Sequence, residues 1–184
     1  MKLLSHPRSA IVLIVFFLLS GGAWAQTSGD QPEAPTTVII LRHADKAGDV
    51  GNVSLSLAGE IRARILAQMC GSSGLAALYG VTDTENDRRV RQTLQPIAEL
   101  LSIEPNILTD PLAIKRCAHE IRTRYNGRVI LVASHSGTVQ GIIKALGGDD
   151  TCCPIGRDYD DLCVVTMHPV GKVNVLRLKY GTTK

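Results

Sequence analysis

The sequence predicts an α/β fold: a three-layer α/β/α sandwich around a mainly parallel central sheet, with an antiparallel C-terminal hairpin at the sheet edge. Three observations carry this expectation. Apolar runs of strand length alternate with helical patterns along the chain, as they do in βαβ units. The run Val129-Ile-Leu-Val-Ala133 is apolar throughout, as a strand covered on both faces requires. Near the C terminus two further runs flank Pro169-Val170-Gly171, which reads as a hairpin turn.

Taken in order, the first strand is Thr37–Leu41, followed by a helix from about Ser56 to Cys70 and a strand over Ala77–Val81. Leu94, Ile97, Ala98 and Leu101 recur on one helical face, so Arg88–Leu101 is a second helix. A third spans about Leu112–Tyr125. The strand Arg128–Ala133 leads into a helix over Gly137–Leu146 that Gly147-Gly148 ends. Strands Leu162–Met167 and Lys172–Leu178 complete the hairpin. There is no internal repeat.

The N terminus has a different character. Lys2 and Arg8 precede an apolar run from Ala10 to Leu19, and Ala23-Trp24-Ala25 ends in the small-x-small pattern of a cleavage site. The run is short for a membrane span, which needs about 20 residues. Residues 1–25 are therefore expected to be a signal peptide, residues 26–36 a flexible lead-in, and residues 37–184 a single domain. The expected product is an exported protein, periplasmic or secreted, with no stable membrane span.

Cleavage after Ala25 removes Lys2 and Arg8 and lowers the formal net charge from +3 to +1. With aromatics at 4% and no later basic run, the stacking platform and cationic footprint of a nucleic-acid binder are missing. Composition leaves the oligomeric state open.

All five cysteines follow the leader, where an oxidising compartment permits disulfides. The odd count leaves at least one unpaired. Cys152 or Cys153 with Cys163 is one candidate pairing and Cys70 with Cys117 another; spacing leaves the connectivity open. No zinc-ligand spacing is present, and no metal or other cofactor is expected.

Open α/β sheets build their sites at the carboxyl ends of strands. Arg42 and His43 end the first strand, Ser134-His135-Ser136-Gly137 ends the Val129–Ala133 strand, and Arg88-Arg89-Val90-Arg91-Gln92-Thr93 starts a helix between them. Two imidazoles and at least two guanidiniums are thus delivered to one edge. Guanidinium forks match phosphoryl oxygens, and the amides of Ser136 and Gly137 at a helix N-terminus add donors. An imidazole with one nitrogen free is a competent nucleophile when a hydrogen bond fixes the other.

At these residues the sequence resembles the histidine phosphatase superfamily, the phosphoglycerate-mutase-like fold. The family's Arg-His-Gly stands here as Arg42-His43-Ala44, its Arg-Ala-x-Gln-Thr as Arg89–Thr93, and its late His motif as Ser134-His135-Ser136-Gly137-Thr138-Val139. Leu55-Ser56-Leu57-Ala58-Gly59 is similar to the family's turn into its first helix, with Ser56 as N-cap. The likeness runs from about Val38 to Tyr180 and is closest to the small exported members, which share patterns like Arg42–Lys46, His135–Val139 and Tyr159–Leu162.

The resemblance implies a phosphatase acting on small-molecule or envelope phosphomonoesters. In it His43 attacks phosphorus, while Arg42, Arg89, His135 and Ser136 hold the phosphoryl oxygens and Arg91 points outward. Water then releases phosphate, without a metal ion. Ala44 replaces the family glycine, and its methyl group is expected to narrow the pocket.

Only 45 residues separate Arg89 from His135, too few for the inserted segment that carries the general acid in larger relatives. Asp45 is the first candidate for that role and Asp110 the second. Residues 44–55 and 147–161 are the expected rims. His119 and His168 read as solvated, as does the acidic run Asp149, Asp150, Asp158, Asp160 and Asp161. A catalytically weak or inactive binder of phosphorylated ligands is the competing reading.

Overall fold

The computed structural model describes residues 34–181. The expected signal peptide, residues 1–25, and residues 26–33 of the lead-in lie outside the described residues. In chain order the elements are β1 (Thr36–Arg42), α1 (Leu57–Cys70), β2 (Leu75–Val81), α2 (Arg88–Leu101) and β3 (Asn106–Leu108). There follow α3 (Ala113–Arg124), β4 (Val129–Ser134), α4 (Ser136–Ala145), a 3₁₀ turn at Asp150–Cys152, β5 (Asp161–Met167) and β6 (Val173–Lys179).

The sheet order is β3-β2-β4-β1-β5-β6. The first four strands run parallel, and the β5–β6 hairpin joins β1 antiparallel. This is the predicted fold class. Strand β3 was not foreseen: three residues paired only to the end of β2 are too few to show a period of two.

Side chains of a strand alternate between its faces, and the two central strands use this to fill both layers. Val38, Ile40, Ile130 and Val132 pack with Ile121 of α3 and with Val139, Ile142 and Ile143 of α4. On the opposite face Leu41, Leu131 and Ala133 meet Leu66 of α1 and Val90, Leu94 and Ile97 of α2. Both faces are covered, which explains the unbroken apolar runs of β1 and β4.

Those two faces also decide the cysteines. Cys117 lies in the core of one face and Cys70 in that of the other, so the sheet stands between them and both are free thiols. The suggested Cys70–Cys117 pairing is therefore corrected. Burial pushes the Cys117 thiol up to about 12. Cys153 bonds Cys163, and Cys152 is free and exposed.

Local signals hold at the helix and hairpin ends. Ser56 caps α1 by accepting a hydrogen bond from the Gly59 amide at 3.2 Å. Gly59 itself lies against the Asp45 backbone, and an added Cβ would overlap the Asp45 carbonyl. Gly171 turns the hairpin with φ +83°, a conformation that favours glycine. One expectation about the surface fails: Asp161 is 1% exposed. Its carboxylate accepts from the Gly156 amide at 2.8 Å and from Arg177 Nε at 2.7 Å, so this member of the acidic run fastens a loop to the sheet.

Candidate active site

Register brings the two histidines together. Arg42 is paired with Ser134 at the ends of β1 and β4, and the His43 amide donates to the Ser134 carbonyl at 2.8 Å. The Ser134 hydroxyl in turn donates to the Val81 carbonyl at 2.6 Å, which ties in the end of β2. As a result the His43 and His135 rings lie 5.2 Å apart, edge to face.

His43 is only 2% exposed. Its Nδ1 lies 2.8 Å from the Ala44 carbonyl. A carbonyl can only accept, so Nδ1 carries the proton and Nε2 keeps its lone pair. Burial pulls the imidazole down to about 4; the Ala44 hydrogen bond opposes this, and His135, Arg42 and Arg89 reinforce it. The ring is neutral at pH 7, and Nε2 is the nitrogen that carries the lone pair. The Ala44 methyl packs with Leu55 and Ala63, so it occupies the core where it was expected to narrow the pocket.

Residues Gln92 and Thr93 hold the helix that carries Arg89. Gln92 Oε1 accepts from the Leu55 amide at 2.8 Å, and Thr93 Oγ1 accepts from the Ala44 amide at 2.9 Å. Thus one turn of α2 supplies both the guanidinium and the bonds that fasten it to the segment following β1. Arg91 points outward to the Glu85 carbonyl at 2.6 Å.

Arg42 and Arg89 share a telling feature: the Nε of each is buried without a hydrogen-bond partner among the described residues. Leaving a charged donor unpaired is costly, and both lie where the sequence predicts a bound anion. Helix α4 begins at Ser136, directly after His135. Its first-turn amides, Ser136 and Gly137 among them, have no intrahelical acceptor.

Asp87 is the site residue that sequence reasoning missed. It is 4% exposed and caps α2, with Oδ1 accepting from the Val90 amide at 3.0 Å. Its Oδ2 lies 3.1 Å from Arg89 and 3.0 Å from His135 Nε2. Burial alone would raise this carboxyl; hydrogen bonds from His135 and Val90, with the charges of His135 and Arg89, hold it well below the usual carboxylate range. Its one sequence signal was an Asp in N-cap position two residues before the motif arginine.

The two carboxylates expected as acid are engaged elsewhere. Asp45 is buried in an ion pair with Arg62 Nε at 2.6 Å, and Arg62 also donates to the Tyr180 carbonyl at 2.9 Å. His43 is two residues away in sequence, yet the partner of Asp45 is Arg62 on α1, so its carboxylate is engaged in an ion pair. Asp110 pairs with Arg116 at 2.6 Å. Of the expected 147–161 rim, Arg157 and Tyr159 reach the site: the Arg157 carbonyl accepts from Arg42, and the Tyr159 ring lies 5.7 Å from that of His43. A cavity of about 300 Å³ is lined by Thr82, Asp83, Asp110 and Thr138 among others; Thr82 Oγ1 is 3.2 Å from His135 Nε2.

No protein-family model matches the sequence, and no curated protein matches it either. Solved structures do. A chain of Agrobacterium tumefaciens assigned as the phosphohistidine phosphatase SixA aligns over 80% of this chain and 99% of its own, at 21% identity and TM-score 0.57. The fold is that of the histidine phosphatases. A mycobacterial glucosyl-3-phosphoglycerate phosphatase is similar over 80% of this chain and its whole length, with 13% identity and TM-score 0.62. The protein histidine phosphatase SixA complexed with tungstate matches 78% of this chain and 96% of its own, at 18% identity and TM-score 0.58. In the histidine phosphatase fold of this chain, Arg42, His43, Arg89 and His135 converge as described.

Proposed function

We propose that the protein is an exported phosphatase that hydrolyses small-molecule or envelope phosphomonoesters through a phosphohistidine at His43, without a metal ion. One observation carries this reading: two buried guanidinium Nε donors without partners flank a neutral imidazole whose Nε2 is free. Two fixed donors beside a nucleophile match an oxyanion held for attack. The tungstate complex of a structural neighbour adds support, since tungstate is a phosphate-like oxyanion.

In the reaction His43 Nε2 attacks phosphorus and the ester P–O bond breaks, its electrons leaving with the leaving-group oxygen, which takes its proton from solvent water. Arg42, Arg89, His135 and the Ser136 amide stabilise the equatorial oxygens. Water then attacks the phosphohistidine, the P–N bond breaks, and inorganic phosphate leaves. Arginines supply the positive charge that a metal would bring elsewhere. Export is supported by the leader of residues 1–25 and by the Cys153–Cys163 disulfide, which an oxidising compartment favours.

One observation favours a second reading, that of a weakly active or inactive binder. Asp45 is locked to Arg62 and Asp87 is held ionised, so neither is a ready proton donor. Substrates with good leaving groups, such as aryl or acyl phosphates or phosphohistidine, need little protonation. The test is single-turnover phosphate release from an aryl phosphate by the protein lacking residues 1–25, in excess chelator, for wild type and His43→Ala. Release that vanishes in the variant is the expected result. Binding of phosphate without release would replace the enzyme with the binder.

A further inference from the structure

We infer that Tyr159 is a positioning residue for Arg42, and that the Cys153–Cys163 disulfide holds Tyr159 in place. The inference rests on the phosphatase reading and deepens it by naming what controls the site. The Arg42 guanidinium carbon lies 4.2 Å from the centre of the Tyr159 ring. Its terminal nitrogens donate to the Tyr159 hydroxyl and to the Arg157 carbonyl, each at 3.4 Å. Those two bonds are long, whereas the guanidinium carbon lies directly over the ring, within cation–π distance. The ring therefore sets the plane of the fork, and Nε, the donor without a partner, stays free for a ligand. A planar fork binds a phosphoryl group well only when its plane is correct.

Nothing in the local backbone fixes Tyr159, because residues 153–160 contain no helix or strand. Long-range ties do the work. The disulfide joins the start of this segment to Cys163 of β5, which is paired with Ile40 of β1. The Gly156 amide is held by Asp161 at 2.8 Å, and the Asp160 carbonyl accepts from the Tyr180 amide at 2.9 Å. Among these ties the disulfide is the one that a change of redox state removes. A dithiol reductant would convert it to two thiols and be oxidised to its own disulfide. The segment before Tyr159 would then lose its covalent tie and keep the Gly156–Asp161 bond and the packing of Ile155 on the core.

The experiment compares wild type, Tyr159→Phe and Tyr159→Ala on an aryl phosphate, each with the disulfide formed and after reduction. Tyr159→Phe keeps the stack and is expected to remain within about threefold of wild type. Tyr159→Ala loses a cation–π contact, an effect of about tenfold, read in kcat with KM little changed. Reduction should lower wild-type kcat by a similar factor and add little to the loss in Tyr159→Ala, because both act through one contact. A loss seen only in KM, or full activity in Tyr159→Ala, overturns the positioning role. Independent, multiplying losses overturn the disulfide's part. Cys153→Ala/Cys163→Ala, checked for a native circular dichroism spectrum, repeats the redox arm without a reductant; if it does not fold, the two Tyr159 variants decide the positioning role alone. Absence of phosphate release from oxidised wild type would sink the phosphatase reading, whereas release indifferent to Tyr159 sinks only this inference.

Discussion

Asp87 Oδ2 lies 3.0 Å from His135 Nε2 and 3.1 Å from Arg89, so one carboxylate joins two of the groups proposed to hold the phosphoryl oxygens. Because the carboxylate only accepts, it keeps a proton on Nε2 and orients the ring. The same side chain caps the helix that carries Arg89. Asp87 is thus a positioning residue with a second, structural duty.

Two substitutions separate these duties. Asp87→Asn retains an N-cap of equal quality, while Asp87→Ala loses it at about 1 kcal/mol. Both remove hydrogen bonds to charged groups, so kcat/KM should fall by about 10–100-fold in each. Urea unfolding alongside steady-state kinetics checks this. Undiminished activity in Asp87→Asn would leave only the cap.

The His43 imidazole gives a pH prediction. Its folded value of about 4 lies below the ordinary 6.5, so on acidification the unfolded chain takes up the proton first. The contribution of His43 to stability is complete above about 6.5, declines as pH falls toward about 4, and is constant below that. An NMR titration should find one imidazole with a midpoint near 4 that is missing from His43→Ala. A His43 midpoint near 6.5 would contradict the buried, neutral nucleophile.

Asp45 and Arg62 give the third prediction. Asp45→Asn leaves a buried guanidinium uncompensated, which costs about 3–5 kcal/mol. Stability should drop by that order, while kcat at a temperature where the variant stays folded changes by less than about threefold. The reverse pattern, a collapse of kcat with stability intact, would return Asp45 to the role of acid.

Much of the site was legible because its signals are local. Arg42-His43 follows an apolar strand, and Ser134-His135-Ser136-Gly137 stands between a strand and a helix. Alternation put both strands inside the sheet, and parallel strands share a carboxyl edge. Asp45 misled for the same reason that His43 was found: adjacency in sequence. His43 and Asp45 lie beyond the end of β1, where the strand's alternation no longer governs direction, and His43 faces His135 while Asp45 meets Arg62 on α1. Asp110 and Asp161 were likewise assigned from their neighbours in sequence, and their partners lie on α3 and β6.

By itself the sequence determined the α/β sandwich, the order of its main elements, and the sheet edge at which Arg42, His43, Arg89 and His135 come together. Those follow from hydrophobic period and from motifs a few residues long. Only the tertiary structure decided that Asp87 orients His135, that Asp45 belongs to Arg62, that Tyr159 stacks on Arg42, and that Cys163 bonds Cys153 while Cys70 and Cys117 stay apart. Each of these depends on which side chains meet across elements distant in sequence. A carboxylate or a thiol carries no mark of its partner until packing supplies one.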